Sequence, residues 1–259
     1  MTRALILAAG QGTRLRPLTN NKPKCMVPLL GTPLLQRQID TLKSCGVHDI
    51  HVAAGYRADQ IQARGISITI NKHFASTNMV ETLFCALPFV AQEGDLIISY
   101  GDIVYQKSNL EALLSCKDEI SIMVDSHWLQ YWKLRLEDPL EDAETLILDE
   151  NNYVKELGKK PHNYESIQGQ YTGLIKVSSK TIPDFVKCYQ ALDRSKSYDG
   201  KEFQKMYMTS FLQSMIDLGW MVKAVQVRNG WLEIDSCEDL RLYERLAKEN
   251  RLKPFCKLD

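Results

Sequence analysis

LILAAGQGTRLRPLT, residues 5–19, is the stretch that decides the fold. Its apolar start, Leu5 to Leu7, stops at Gly10 and Gly12, which predicts a buried strand that ends in a glycine loop. In an open α/β sheet, ligands bind outside the carboxyl ends of the strands. A glycine loop at that edge lets backbone N–H groups approach phosphate oxygens. The stretch therefore predicts a phosphate site.

Two familiar phosphate-binding loops do not match this stretch. A P-loop has Lys and then Ser or Thr after its last glycine, whereas Thr13 and Arg14 follow Gly12. The dinucleotide-binding pattern fails because Leu15 occupies its third glycine position. What remains is a glycine loop with three cations near it in sequence: Arg14, Arg16 and Lys24. Such a group of cations favours a polyphosphate ligand.

Composition limits the partners of the chain. The 259 residues include 32 basic and 32 acidic side chains, so no long-range field favours nucleic acid or an anionic membrane. The first apolar run is too short for a signal peptide, and no stretch approaches the length of a transmembrane helix. Seven cysteines without a C-x-x-C pair predict neither a disulfide framework nor a zinc site. We expect a cytoplasmic protein without nucleic-acid or membrane partners, and the sequence leaves its oligomeric state open.

Strand and helix patterns alternate along the first half of the chain. Helical spacing after Pro33 stops at Gly46, and glycine is common just beyond the end of a helix. Asp49–Ala54 then has the pattern of a strand and leads into Gly55, as the first strand leads into Gly10. We therefore expect a second close approach of the backbone to a ligand at Gly55.

Two further strands are expected before residue 119. A short edge strand at residues 66–70 precedes Asn78, which is expected to begin a helix as its cap. Residues 96–100 form a strongly apolar strand that ends in Gly101 and Asp102. A carboxylate at the carboxyl end of a central strand is suited to hold Mg²⁺ against phosphate oxygens. The alternative for Asp102 is a turn or helix-cap role.

The second half of the chain continues the α/β pattern with more strands. We expect strands at residues 120–124, 170–177 and 221–227, and a helix at about 209–218. A hairpin is expected where residues 144–148 and 153–157 flank the turn residues Asn151 and Asn152. The expected fold is an α/β fold with a Rossmann-like open sheet, mixed but mostly parallel, flanked by helices and carrying a small β-rich lobe.

The pattern LAAGxGTRLxPLTxxxPK, from Leu7 to Lys24, resembles the nucleotide-binding segment of the small-molecule nucleotidyltransferases. This superfamily includes the sugar-1-phosphate nucleotidyltransferases and the phosphocholine cytidylyltransferases. YGDIVY around Asp102, together with residues 128–146, is most similar to cytidylyltransferases for phosphocholine, aminoethylphosphonate or phosphoglutamine. The resemblance implies that Mg²⁺ assists transfer of a nucleoside monophosphate, with CTP favoured as donor, to a small phosphorylated or phosphonate acceptor. It also implies that the nucleotide binds in residues 1–118 and the acceptor in residues 119–259. The length of the chain suits a single domain, residues 1–259.

The resemblance also implies roles for individual residues. Arg14 and Lys24 would hold the phosphates, and Asp102 and Asp235 would be ligands of Mg²⁺. Asp235 lies in WLEIDSCEDL, which is similar to the second metal-ligand segment of the family; helix capping by Asp235 or Ser236 is the alternative. The residues expected to contact the nucleotide are Leu7, Ala8, Ala9, Gly10, Gly12, Thr13, Gly55, Asn78, Thr82 and Gly101.

The expected acceptor site combines a lysine with an aromatic and acidic stretch. Lys159, in ELGKK, is similar to a family lysine that faces the acceptor phosphate, with a solvated basic turn as the alternative. Trp128 and Trp132 precede an acidic run that includes Asp142 and Glu144. Aromatic faces beside carboxylates suit a positively charged nitrogen, with a cation–π attraction of roughly 0.5 to 2 kcal/mol. In the alternative, the tryptophans pack one helical face and the acidic side chains are solvated.

Two other functions remain open at this stage. The first is a hexose-1-phosphate nucleotidyltransferase that uses UTP, dTTP, GTP or CTP. The second is a non-catalytic subunit that senses a nucleotide or supports an assembly. The joint presence of Arg14, Lys24, Asp102 and Asp235 argues against the non-catalytic subunit.

Overall fold

The structure is a computed structural model that describes residues 1–258. Its strands are β1 (Thr2–Ala8), β2 (Pro28–Leu29), β3 (Thr32–Pro33), β4 (Asp49–Ala54), β5 (Ser67–Ile70), β6 (Asp95–Tyr100), β7 (Ile103–Tyr105), β8 (Ile120–Asp125), β9 (Leu146–Leu148), β10 (Val154–Leu157), β11 (Gln170–Val177), β12 (Ser197–Tyr198), β13 (Lys201–Glu202), β14 (Val222–Val227) and β15 (Trp231–Glu233). Its α-helices are α1 (Leu34–Ser44), α2 (Met79–Cys85), α3 (Leu87–Val90), α4 (Lys107–Ser115), α5 (Trp128–Arg135), α6 (Ile182–Ala191), α7 (Met208–Asp217) and α8 (Cys237–Lys248).

The central sheet has seven strands in the order β14-β8-β11-β6-β1-β4-β5. Strand β11 is antiparallel to both of its neighbours, and every other neighbouring pair in this sheet is parallel. The predicted mixed, mostly parallel sheet flanked by helices is therefore confirmed. Strands from both halves of the chain belong to this one sheet, because β8, β11 and β14 follow residue 118.

The central strands are buried on both faces, as the apolar run at the start of the chain predicts. Successive side chains of a strand point to opposite faces, so Ala4 and Ile6 pack on one side of β1, and Leu5 and Leu7 pack on the other. Helices α1, α4, α5 and α8 contribute to the first side, and α2, α6 and α7 contribute to the second. The sheet is thus a layer between two apolar cores.

The local elements follow the sequence patterns closely. Helix α1 ends just before Gly46, whose φ is +81°. Asn78 caps α2, since its Oδ1 accepts a hydrogen bond of 2.9 Å from the backbone N–H of Met79. The predicted hairpin is the antiparallel pair β9 and β10, and Asn152 in its turn has a φ of +61°. Within residues 1–258, no helix is both long enough and apolar enough to span a membrane.

A pair of short strands joins the two halves of the chain beside the carboxyl end of β6. Strand β7 begins directly after Asp102 and pairs antiparallel with β15, with Glu233 opposite Ile103. The backbone N–H of Ile234 donates a hydrogen bond of 3.0 Å to the carbonyl of Asp102. This pairing brings Asp235 next to Asp102, although more than a hundred residues separate them in sequence.

Candidate active site

The glycine loop folds directly against Lys24. Gly12 has a φ of +61°, and a Cβ at this position would lie 2.9 Å from Cβ of Lys24. The hydroxyl of Thr19 donates a hydrogen bond of 2.8 Å to the carbonyl of Gly12 and holds the loop in this shape. Both the left-handed backbone and the close contact favour glycine at position 12.

A first cavity opens at the carboxyl ends of β1 and β6, beside the start of α2. Of the predicted nucleotide-binding residues, those that line it are Leu7, Ala8, Ala9, Gly10, Asn78, Thr82 and Gly101. Lys24 and Asp102 line it as well. Gly12, Thr13 and Gly55 are not lining residues. Gly55 supports the cavity wall instead, because a Cβ there would lie 2.9 Å from Cβ of Ala9.

A charged cluster lies beside the first cavity. Nζ of Lys24 is 2.7 Å from Oδ2 of Asp102 and also contacts Asp235. Arg14 approaches the same aspartate, with 3.1 Å between its Nη2 and Oδ2 of Asp235. The residues that the sequence predicts as phosphate and metal ligands are therefore joined in one cluster, in which Asp235 contacts both cations. Ser236 caps α8, so the capping alternative falls on Ser236 and leaves Asp235 in the cluster.

Glu233 is a third carboxylate of the cluster, and the sequence reasoning missed it. One carboxylate oxygen from each of Asp102, Glu233 and Asp235 lies within 4.8 Å of the other two. A signal was present in the sequence, because Glu233 precedes Asp235 by two residues. In extended chain, residues at that spacing point to the same side.

Burial and mutual charge shift the pKa values of this cluster. Burial alone would lower the pKa of Lys24, but the carboxylates of Asp102 and Asp235 outweigh it and raise that pKa. For Asp235, burial would raise the pKa, and the nearby cations, Lys24 first among them, lower it. Burial and the neighbouring Asp235 raise the pKa of Glu233 to about 8. Lys24 and Asp235 thus stabilise each other's charged forms.

The donor set of the cluster fits a divalent metal ion such as Mg²⁺. Oδ1 of Asp102 is buried and has no hydrogen-bond partner, which is costly for a carboxylate oxygen unless an ion satisfies it. Carboxylate oxygens are the ligands that Mg²⁺ prefers in proteins. Asp102, Glu233 and Asp235 are therefore the residues that could hold such an ion.

A second cavity adjoins the first, and Met79 and Tyr100 line both. It is reached from the charged cluster, because Arg14, Glu233 and Asp235 are among its lining residues. Its other lining residues are Trp132, Asp142, Glu144, Gln170, Tyr171, Thr172, Gly173, Tyr207, Thr209 and Trp231. The cluster therefore lies where the two cavities meet, which is the position required for transfer of a group from one ligand to another.

The structure brings together three of the five residues predicted for the acceptor. Trp132 lines the second cavity, and its Nε1 donates a hydrogen bond of 3.2 Å to Oδ2 of Asp142. Glu144 lines it as well, and burial, followed by the charges of Asp142 and Asp199, raises its pKa to about 7. A carboxyl with that pKa changes its charge near neutral pH.

Trp128 and Lys159 are not brought to either cavity. Trp128 is buried against Trp132 with 5.7 Å between ring centroids, as the helix-packing alternative expects. Lys159 is exposed, and its Nζ pairs at 2.6 Å with Glu156. The lining residues Gln170, Tyr171 and Thr172 carried no sequence signal, because only the position of β11 in the sheet brings them to the cavity.

A glycine loop, two cations and a carboxylate cluster lie together at the carboxyl ends of the parallel strands β1 and β6, an arrangement suited to an α/β enzyme that binds a polyphosphate. Residues 4–151, more than half of the chain, match the MobA-like NTP transferase domain. The chain therefore belongs to the MobA-like NTP transferase family.

Relatives with curated functions are similar over different parts of the chain. The chain is 43% identical to CTP:phosphoglutamine cytidylyltransferase of Campylobacter jejuni subsp. jejuni over 248 residues, which cover 92% of this chain and 98% of that protein. It is 40% identical to choline-phosphate cytidylyltransferase of Streptococcus pneumoniae over 86 residues, which cover 32% of this chain and 38% of that protein.

Solved structures share the fold at lower identity. The structure of CTP:phosphocholine cytidylyltransferase from Streptococcus pneumoniae superimposes with a TM-score of 0.70 at 22% identity, covering 95% of this chain and 99% of the other. At this level of identity the likeness concerns the fold, and it agrees with the mostly parallel sheet described above.

Proposed function

We propose that this chain transfers CMP from CTP to a small phosphorylated acceptor, with release of pyrophosphate, and that Mg²⁺ assists the reaction. Similarity to CTP:phosphoglutamine cytidylyltransferase over 98% of that protein supports CTP as donor and favours an acceptor of the phosphoglutamine type. The joint contact of Lys24 with Asp102 and Asp235, where two cavities meet, is the observation that carries the proposal. We also retain the prediction of a cytoplasmic location, which the cysteine pattern supports.

In the proposed reaction, a phosphate oxygen of the acceptor attacks the α-phosphorus of CTP, and the bond from that phosphorus to the pyrophosphate breaks. A phosphate with a second pKa of roughly 6 is already anionic near neutral pH, so the attack needs no general base. The barrier comes from repulsion between anions and from charge on the transferred group. Positioned cations that oppose this charge are therefore the main requirement of the site.

Each residue of the cluster has a role in meeting that requirement. Lys24 lines the first cavity and would bind the α-phosphate, while Arg14 lines the second and would bind phosphate oxygens between donor and acceptor. Asp102, Glu233 and Asp235 would hold Mg²⁺. When bound, Mg²⁺ neutralises phosphate charge and holds the two substrates together. Lys24 would exchange its carboxylate partners for phosphate oxygens when the nucleotide binds, and Asp102 and Asp235 would then be free to hold the metal.

The second cavity supports an acceptor with a positively charged nitrogen. Asp142 and Glu144 add negative charge to a wall that also contains the aromatic rings of Trp132, Tyr171 and Tyr207. Carboxylates attract an ammonium group directly, and aromatic faces attract it through their quadrupoles. A neutral hexose would gain little from this combination.

A panel of substrate pairs tests the proposal. Purified protein is mixed with Mg²⁺, one of CTP, UTP, dTTP or GTP, and one acceptor. The acceptors are phosphoglutamine, phosphocholine, aminoethylphosphonate and glucose 1-phosphate. We expect pyrophosphate release with CTP and an amine-bearing acceptor. Turnover only with glucose 1-phosphate would replace the proposal by the hexose-1-phosphate activity, and no turnover with any pair would favour a non-catalytic subunit.

A further inference from the structure

Arg135, the last residue of α5, joins the carboxylate cluster from behind. Its side chain is only 5% exposed, and its Nη1 lies 2.9 Å from Oε2 of Glu233. Its Nε lies 2.9 Å from Oδ1 of Asp239, and its Nη2 lies 3.8 Å from Oδ2 of Asp235. One guanidinium therefore contacts two of the three candidate metal ligands and a further carboxylate at the start of α8.

Asp239 extends this contact to the backbone around Asp235. Oδ2 of Asp239 accepts hydrogen bonds from the backbone N–H groups of Asp235, at 3.0 Å, and Ser236, at 2.9 Å. Arg135 holds the same carboxylate by two of its nitrogens. The position of Asp235 thus depends on Asp239, and the orientation of Asp239 depends on Arg135.

Aromatic rings fix the guanidinium itself. The central carbon of the Arg135 guanidinium lies 5.4 Å from the ring centroid of Tyr131 and 5.8 Å from that of Trp132. Trp132 also donates to Asp142 in the second cavity. Helix α5 therefore contacts the candidate metal-ligand carboxylates through Arg135 and the second cavity through Trp132.

We infer that Arg135 is a positioning residue for the metal site: it orients Glu233 and, through Asp239, Asp235, so that their oxygens converge with those of Asp102. A planar guanidinium can bind two carboxylates in fixed directions at once, whereas an ammonium group is a single point charge. Partners behind metal ligands typically change metal affinity by about 10- to 100-fold when they are removed. The inference rests on the proposed function, because it assumes that the cluster binds a metal together with the nucleotide.

The test measures how strongly metal and nucleotide favour each other's binding. The affinity for CTP is determined by calorimetry without acceptor, once with saturating Mn²⁺ and once with EDTA. The ratio is the dissociation constant of CTP with EDTA divided by that with Mn²⁺. We expect this ratio to be about tenfold smaller in Arg135→Lys than in the wild type, because the metal then favours CTP binding less. Asp239→Asn removes the negative charge that pairs with Arg135 and should change the ratio in the same direction. This variant keeps the inference testable if Arg135→Lys does not fold.

Arg3→Lys is the matched control. Arg3 is also buried, donates to the carbonyls of Phe89 and Val90, and lies 5.3 Å from the Phe89 ring, but it is at the opposite end of β1. Arg3→Lys should lower the thermal midpoint, as Arg135→Lys does, and should leave the ratio of the CTP dissociation constants unchanged. A wild-type ratio in Arg135→Lys would overturn the inference. Absence of any Mn²⁺ effect on CTP binding in the wild type would overturn the proposed metal role as well.

Discussion

Lys24 is held by carboxylates that the proposed reaction needs for metal binding. Its ammonium group contacts Asp102 and Asp235 and raises the cost of bringing a second cation to them. In this state the ammonium group of Lys24 offsets part of the negative charge of Asp102 and Asp235. In the proposed reaction, the phosphates of CTP would give Lys24 a new partner, and the carboxylates would then become available to a metal.

We therefore predict that Lys24→Met binds Mn²⁺ more tightly than the wild type when no nucleotide is present, because the internal competitor is gone. The same change should reduce kcat and kcat/KM together by about 10² to 10³, the range found when a positioned donor to transition-state charge is removed. Electron paramagnetic resonance of free Mn²⁺ measures the affinity. Lys22→Met, which removes a nearby charge outside the cluster, is the control. Equal Mn²⁺ affinity in Lys24→Met and the wild type would contradict this role.

Glu144 predicts a pH dependence of acceptor binding. Its pKa of about 7, raised by burial and by Asp142, means that the carboxyl is neutral below pH 7 and negative above it. The KM for an amine-bearing acceptor should therefore fall as the pH rises from 6 to 8. Because the acceptor phosphate also titrates near 6, the measured quantity is the ratio of KM values for wild type and Glu144→Gln at each pH. A ratio that stays constant with pH would exclude a direct contact with the ammonium group.

At the scale of elements, the start of α8 fixes the end of the segment that carries Asp235. Oγ of Ser236 accepts a hydrogen bond of 3.1 Å from the N–H of Asp239, and the Asp239 side chain bonds back to the N–H of Ser236. Each bond satisfies a backbone donor that the first turn of a helix leaves unpaired. The cap therefore stabilises the start of α8 directly beside the candidate metal site.

Ser236→Ala should lower the free energy of unfolding by about 1 kcal/mol, the usual cost of losing a serine cap. Urea denaturation, with the slope of the transition unchanged, measures this loss. Ser115→Ala is the matched control. Ser115 is the last residue of α4, so it caps no helix start, and its hydroxyl donates to the carbonyl of Glu111. The control should remain within about 0.5 kcal/mol of the wild type. Equal stability of the two variants would show that the cap contributes nothing measurable.

For the whole molecule, the second cavity and the charged cluster combine residues from both halves of the chain. The first is lined from residues 1–118, whereas the second also needs β11, the start of α7 and β15. A ligand that contacts the charged cluster therefore binds only when both halves are folded. Such a ligand stabilises the native state by mass action.

The Mg²⁺ complex of CTP, treated as one ligand at about a hundred times its dissociation constant, should stabilise the protein by about 2.7 kcal/mol and raise Tm by roughly 5 to 10 °C. Differential scanning fluorimetry measures the shift. Asp102→Asn should fold normally but lose the part of the shift that depends on Mg²⁺, because it removes one carboxylate charge from the cluster. A shift of the same size with EDTA in place of Mg²⁺ would contradict metal binding at this site.

Several features were determined by the sequence alone because they depend on neighbours along the chain. The apolar run and the glycines predicted β1 and the loop at its carboxyl end, and the helix end at Gly46 and the helix start at Asn78 followed from local backbone chemistry. Arg14, Lys24, Asp102 and Asp235 were expected at one site, and the structure brings all of them together. Their roles in catalysis stay predictions until the variants are measured.

Only the tertiary structure decided which residues stand around that site. Pairing of β7 with β15 brings Glu233 to Asp102, and the packing of α5 brings Arg135 behind them. The same packing buries Trp128 and turns Trp132 towards the second cavity, although both carry the same aromatic signal in the sequence. Contacts between distant segments depend on strand order and helix packing, which no local pattern encodes. The set of residues that lines the second cavity is therefore a property of the fold.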